Sequence, residues 1–184
     1  VNFNMNIGRY FQLPPYTALG YSDLAGNLIN KQNNLKYIQS DHFVAGFEFI
    51  PQESVQFTLE GFYKTYSKYP YSVLDSVPLS SKSVGYGIFG DEELLSISDG
   101  RAYGFELLGR LKEFRNTNLV FSYTFVRSEF RGVNKSWIPS SWDNRHLFNL
   151  TATKKFERNW DLGFKWRFVG GAPYTPYDLD KSAL

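Results

Sequence analysis

The amino-acid sequence predicts an all-β fold, an antiparallel transmembrane sheet that forms a segment of a β-barrel. Three observations predict it. Apolar and polar residues alternate in seven segments, each about ten residues long, which is the length that a tilted strand needs to cross a bilayer. Aromatic residues make up 18% of the chain, and their rings fit the pleated surface of a sheet. The connections between the segments alternate between short and long, as they do in outer-membrane barrels.

The first segment has the clearest alternation. Val1, Phe3, Met5 and Ile7 are apolar, and an asparagine follows each of the first three. Successive side chains of a strand point to opposite faces, so this strand has one apolar and one polar face.

Six further segments repeat the pattern. Their apolar positions are Phe43, Ala45, Phe47 and Phe49; Val55, Phe57, Leu59, Gly61 and Tyr63; Tyr103, Phe105, Leu107, Gly109 and Leu111; Leu119, Phe121, Tyr123 and Phe125; Phe148, Leu150 and Ala152; and Leu162, Phe164, Trp166 and Phe168. The charged residues between them are Glu48, Glu60, Lys64, Glu106, Arg110, Lys165 and Arg167. We expect these charges to line the lumen, where they can pair across strands.

The connections are of two kinds. Tight turns are predicted at 51–54, 113–117 and 157–159, and long polar loops at 13–40, 68–100 and 130–144. Loops of this length without secondary structure are uncommon in compact soluble domains. In outer-membrane barrels the short turns are periplasmic and the long loops extracellular, and we expect the same here.

The composition excludes several classes of function. The chain has no cysteine, which excludes disulfides, thiolate metal sites and a cysteine nucleophile. Its net charge of +2, from 20 basic and 18 acidic residues, does not favour nucleic-acid binding. The two histidines, His42 and His146, have no partner at the spacing of a catalytic or metal site. We therefore predict no enzyme activity, no cofactor and no metal.

Two local motifs have a plainer interpretation than a binding site. Residues 85–90 spell G-x-G-x-x-G, but a dinucleotide site needs a preceding buried strand and a following helix. The polar flanks favour a loop. Asp91, Glu92, Glu93 and Asp99 could offer oxygen ligands to Ca²⁺, but the spacing of a calcium loop is absent. A solvated acidic loop is the favoured interpretation.

Four stretches together carry a family resemblance. They are Gly100-Arg101-Ala102-Tyr103-Gly104-Phe105-Glu106-Leu107, Phe121-Ser122-Tyr123-Thr124-Phe125, Trp142-Asp143-Asn144-Arg145-His146 and Phe168-Val169-Gly170-Gly171-Ala172-Pro173-Tyr174-Thr175-Pro176. In their order and spacing, the chain resembles the carboxyl-terminal half of TonB-dependent receptors. Two further stretches, Asn34-Leu35-Lys36-Tyr37 and Glu60-Gly61-Phe62-Tyr63-Lys64, also fit, and they resemble receptors of Bacteroidetes-type bacteria.

The resemblance implies a place in the bacterial outer membrane and TonB-dependent import of a bulky nutrient. It implies that residues 1–184 are about seven strands of a larger, 22-strand type of barrel, whose plug domain and terminal strands are absent from this sequence. The expected partners are outer-membrane lipid, the TonB complex through the plug region, an extracellular nutrient ligand and, as a further candidate, a surface lipoprotein. Nucleic acid is not expected.

One alternative function stays open at this point, a small complete outer-membrane barrel that acts as an anchor or adhesin. Its length would suit about eight strands, but seven are visible, and single-chain bacterial barrels have even strand counts.

The aromatic residues of the long loops are the candidate ligand contacts. They are Tyr16, Tyr69, Tyr71, Trp137, Trp142 and Tyr174. Aromatic rings supply a large contact area for sugars or peptides. Packing within the loops, or a girdle at the membrane interface, explains them equally well.

Overall fold

A computed structural model describes residues 1–82 and 90–174 of the chain. Its strands are β1 (Asn2–Gln12), β2 (Ile38–Gln52), β3 (Val55–Ser72), β4 (Val77–Pro78), β5 (Leu94–Phe114), β6 (Thr117–Arg131), β7 (Ile138–Pro139), β8 (Arg145–Lys155) and β9 (Asp161–Val169). Seven of them form one antiparallel sheet in the order β1-β2-β3-β5-β6-β8-β9, while β4 pairs with β3 and β7 pairs with β6. The prediction of an all-β antiparallel fold is confirmed.

Helical structure among the described residues is confined to four short elements. They are α1 (Tyr16–Leu19), α2 (Ile29–Gln32) and two 3-10 turns at Leu79–Ser81 and Glu157–Asn159. No helix in these parts of the chain is both long and apolar enough to span a bilayer. Residues 83–89 of the G-x-G-x-x-G region lie outside the described residues.

The register of the strands gathers the apolar positions on one face of the sheet. One row across all seven long strands consists of Phe3, Phe47, Leu59, Leu107, Tyr123, Phe148 and Phe168. No second layer of the described residues packs against these side chains, and Phe3 and Phe47 are 59% and 55% exposed. A contiguous apolar face of this size marks a surface that meets lipid or another protein.

The opposite face is mainly polar. One of its rows consists of Asn2, Glu48, Thr58, Leu108, Ser122, Asn149 and Arg167. In a barrel this face lines the lumen, because the other face contacts lipid. The two faces are therefore called the outer face and the lumen face below.

The asymmetry of the connections is confirmed. At one end of the sheet β2 and β3 are joined through Glu53 and Ser54, and β5 and β6 through Arg115 and Asn116. Arg115 and Asn116 both have positive φ angles, of 49° and 60°, as a type I′ hairpin turn requires. The long connections all lie at the other end, which is called the loop end below.

The predicted bounds of the second long loop were wrong, because the strands on both sides of it continue into it. β3 runs on to Ser72 and β5 begins at Leu94. Pro70 obscures the strand in the sequence, since proline cannot donate a ladder hydrogen bond and is tolerated only at edges and bulges. Register shifts on either side of Tyr69 accommodate it.

The longest strand exceeds the length that a bilayer crossing requires. β5 has 21 residues, which at about 3.3 Å per residue extend about 70 Å along the strand, or about 50 Å along the membrane normal at a tilt of about 45°. The hydrocarbon core of a bilayer is only about 30 Å thick. Most of the buried apolar residues, including Tyr71, Leu79 and Leu94, belong to this projecting part near the loops.

The sheet is not closed. Within the described residues β1 pairs only with β2, and β9 pairs only with β8. The strands are thus an open section of a wall.

Candidate ligand-binding site

A cavity of about 360 Å³ opens near the loop end of β1, β2 and β3. Its lining consists of Tyr10, Phe11, Gln12, Ile38, Ser40, His42, Tyr66 and Tyr69. Tyr10, Ser40 and Tyr66 are direct cross-strand neighbours on the lumen face. His42 lies on the same face, one row nearer the tight turns. The cavity, called the aromatic cup below, therefore opens on the lumen face.

The aromatic cup combines flat rings with hydroxyl groups. The rings of Tyr10 and His42 lie 4.7 Å apart, and Ser40 Oγ is 2.6 Å from His42 Nε2. Tyr66 and Tyr69 each pack against the ring of Phe130, at 5.5 Å and 4.6 Å. The described lining contains no Asp, Glu, Lys or Arg. Such a surface suits a neutral or weakly charged ligand with apolar faces and polar edges.

Tyr69 joins the aromatic cup to the packed loops above it. Its side chain lies against the apolar cluster of Ala18, Leu79 and Leu94, which is called the loop core below. Burial raises the pKa of Tyr69 to about 12. Its hydroxyl therefore stays protonated at physiological pH and remains a hydrogen-bond donor.

The loop core is held by one buried amide. Asn30 is fully buried, and its Nδ2 donates to the carbonyl oxygens of Ala18 at 2.6 Å and Glu92 at 2.8 Å. Its Oδ1 accepts a hydrogen bond from the backbone N–H of Leu94 at 2.8 Å. This single side chain ties the first long loop to the second and to the start of β5.

An ion cluster closes the second loop. Lys82 Nζ contacts carboxylate oxygens of Asp75 and Glu92, and Ser72 Oγ donates to Glu92. Although burial works in the opposite direction, the hydrogen bonds to Asp75 and Glu92 raise the pKa of Lys82. Lys82 is therefore a stable cation that holds both ends of the second loop together.

The third loop is attached to the second. The backbone N–H of Ser141 donates to the carbonyl oxygen of Ser80 at 3.0 Å, and Ser81 Oγ donates to the carbonyl oxygen of Pro139 at 3.1 Å. Among the described residues, all three long loops thus form one connected cap above the sheet.

The structure does not bring the six predicted aromatic residues into one site. Tyr16 and Tyr174 are 83% and 86% exposed, and Trp142 is 56% exposed. Tyr69 lines the aromatic cup. Tyr71 is buried, and its ring covers Gly132. The remaining residue, Trp137, lies between two arginines on the outer face.

Sequence reasoning found only Tyr69 among the eight lining residues of the aromatic cup. Four of the others, Tyr10, Ser40, His42 and Tyr66, lie in strands β1, β2 and β3 rather than in loops. Extending the alternation of these strands by a few residues would have placed the four on the lumen face, opposite the apolar positions.

A second cavity, of about 630 Å³, lies next to the aromatic cup. Phe11 lines both cavities, and Lys36, Tyr37 and Lys68 are further residues of the second. The two lysines add positive charge beside the neutral cup. Within residues 1–82 and 90–174, no group of three or more His, Asp or Glu residues is arranged to hold a metal ion.

Comparison with known families identifies this architecture. The family model described as "TonB dependent receptor-like, beta-barrel" matches residues 1–183. None of the curated proteins compared with the chain matches it.

Proposed function

Because the chain belongs to the TonB-dependent receptor β-barrel family of outer-membrane receptors and transporters, we propose that it forms the wall along which a bulky nutrient is imported. The aromatic cup on the lumen face carries this proposal. Its rings face the import path, and the cap above them lies where an extracellular ligand arrives.

The six loop aromatics contribute to this function in different ways. Tyr16, Trp142 and Tyr174 are exposed and can make the first contacts with a ligand. Tyr69 contacts the ligand inside the aromatic cup. The burial of Tyr71 favours the packing interpretation for that residue. Exposed apolar side chains on the loops, such as Leu24 and Leu74 at 110% and 79% exposure, offer a surface for a lipoprotein partner.

Two facing carboxylates on the lumen face favour a plug domain inside the barrel, through which the receptor contacts TonB. Glu60 and Glu106 are directly opposite each other on β3 and β5, and like charges in that position are unfavourable. Neither carboxylate has an ion-pair partner among the described residues. A basic surface of a plug inside the lumen would neutralise them.

The unpaired edges of β1 and β9 favour the presence of further strands in the same barrel. The unpaired backbone groups of β1 and β9 cannot be left unsatisfied in hydrocarbon. We therefore place residues 1–184 in a larger barrel domain, whose additional strands pair with these two edges.

Energised uptake tests the proposed function. A strain that carries the intact receptor is expected to grow on a bulky nutrient that an otherwise identical deletion strain cannot use. Accumulation of that nutrient is expected to stop when an uncoupler collapses the inner-membrane potential, because TonB transmits that energy. The measurement is uptake of the labelled nutrient with and without uncoupler. Uptake that continues in uncoupled cells would show a passive pore.

The aromatic cup is tested by replacing one lumen ring. Tyr66→Ala is expected to weaken ligand affinity about tenfold, since a ring contact contributes about 1.4 kcal/mol. Tyr63→Ala is the matched control, because Tyr63 lies three residues away on the outer face and pairs with Tyr103. Affinity is measured by titration of the purified receptor with the imported nutrient. Equal losses in both variants would contradict a ligand site in the cup.

A further inference from the structure

Towards the loop end, the side chains of the outer face change from apolar rings to tyrosines and then to arginines. Phe105 and Phe125 are apolar neighbours on β5 and β6. In the next row, Tyr103 stacks on Tyr63 with ring centroids 6.2 Å apart. Aromatic belts of this kind mark the membrane–water interface. Arg127 is paired with Tyr103 in that row and thus projects from the lipid-facing side.

Three arginines follow on this same outer face. Arg127 is opposite Tyr103, Arg101 is opposite Glu129, and Arg131 is opposite Asp99. Arg101, Arg127 and Arg131 are called the arginine cluster below. Their side chains are 32%, 23% and 38% exposed. The cluster therefore lies directly above the lipid-facing belt and is accessible from outside the barrel.

Carboxylates orient the cluster without using all of its donors. Arg101 donates from Nε and Nη2 to Glu129 Oε2, at 3.0 Å and 2.8 Å. Arg127 Nη2 donates to Glu129 Oε1 at 2.5 Å, and Arg131 Nη2 donates to Asp99 at 3.1 Å. A guanidinium has five N–H donors. Several donors of each arginine thus remain for another anion.

Trp137 holds two of these guanidinium groups in place. Its ring centroid is 4.2 Å from Arg101 Cζ and 4.9 Å from Arg131 Cζ. Cation–π contacts at this distance restrict the orientation of the cations. Tryptophan is also enriched at the level of lipid headgroups. The arrangement is pre-organised at the height where a headgroup would lie.

The local charge favours an anion. Arg145 Nε lies 3.7 Å from Asp143 Oδ2, and Arg127 Nε lies 3.4 Å from Asp143 Oδ1. Arg145 pairs with Val126 on the lumen face and lies beside Asp143, whose side chain is fully buried. On the outer face the three guanidinium groups of the arginine cluster meet the carboxylates of Glu129 and Asp99, which leaves one net positive charge there.

We propose that the arginine cluster and Trp137 bind the phosphate-bearing headgroup of an outer-leaflet lipid, whose acyl chains lie along the apolar face below. The surface is continuous with the lipid-facing residues Phe105 and Phe125. Arginine binds phosphate oxygens in a bidentate manner, and basic pockets at the membrane surface recognise anionic lipid headgroups.

The test compares lipid retention between matched variants of the intact receptor. The receptor is reconstituted in phosphatidylcholine vesicles containing lipid A, extracted gently and analysed by native mass spectrometry. Arg101→Gln/Arg131→Gln is expected to reduce bound lipid A about tenfold or more, because it removes charge-assisted hydrogen bonds on both sides of Trp137. Arg9→Gln is the control, because Arg9 is also an outer-face arginine paired with one carboxylate, that of Asp41.

Two further measurements identify the source of the bound anion, and a third detects a folding defect. Dephosphorylated lipid A is expected to be retained poorly by the parent, and excess inorganic phosphate is expected not to displace bound lipid A. Heat-modifiable gel migration checks folding, and Arg131→Gln alone serves if the double variant does not fold. Equal lipid retention by parent and folded variants, equal retention of dephosphorylated lipid, or displacement by free phosphate would each overturn the proposal.

Discussion

Phe121→Arg in the intact receptor is expected to lower the free energy of unfolding by about 2–4 kcal/mol, the cost of an arginine on the lipid face near the bilayer midplane. Phe121 lies on the outer face in a row with Leu150 and Trp166, and its ring covers Gly109. The substitution places a charge in hydrocarbon and also removes this ring contact. Urea unfolding in vesicles, followed by tryptophan fluorescence, measures the change.

Thr124→Arg is the matched control for Phe121→Arg. Thr124 lies three residues further along β6 and faces the lumen, directly opposite Glu106. A new arginine there meets water and a carboxylate, so its expected cost is well below 1 kcal/mol, as for an exposed ion pair. Equal destabilisation by the two substitutions would contradict the assignment of the faces.

Asn30→Ala is expected to destabilise the loop cap by about 2–4 kcal/mol. The substitution leaves the carbonyl oxygens of Ala18 and Glu92 and the N–H of Leu94 without their partner. Each buried group that loses its hydrogen bond costs about 1–3 kcal/mol, and entry of water recovers part of this cost. Hydrogen exchange at the amide of Leu94 is expected to accelerate accordingly.

Asn33→Ala provides the comparison for Asn30→Ala. Asn33 also bonds to the start of β5, but its two hydrogen bonds, to Glu93 Oε1 and to the carbonyl oxygen of Leu94, are both 3.2 Å long and not fully buried. We expect a change below about 1 kcal/mol. The strand amides of β8, far from the cap, are expected to keep their exchange rates in both variants. Similar effects of the two substitutions would show that Asn30 is not the principal clamp.

We expect the long loops to act together in transport, because they form one connected cap. The loops share the loop core, the Lys82 ion cluster and the bonds between Ser80 and Ser141. A loop deletion through 69–90 would remove the end of β3 and expose the loop core, so it would not test ligand capture alone. Point variants in the aromatic cup separate capture from folding more cleanly.

The sequence alone determined which residues belong to which face and where the tight turns lie. In a strand this information is local, because successive side chains alternate between faces whatever the partner strand is. A slip of one residue would turn every apolar side chain towards the lumen, so the pattern also restricts the register. The row through Leu107 and Tyr123 follows that restriction.

Only the tertiary structure decided the architecture of the loop end. Asn30 bonds to Glu92 and Leu94, which are 62 and 64 residues away, and no local pattern encodes such partners. The same holds for the continuation of β3 past Pro70 and for Trp137, whose contacts with Arg101 and Arg131 depend on the pairing of β5 with β6. Alternation is a property of one strand, whereas a cavity, a clamp or a cluster exists only when distant segments meet.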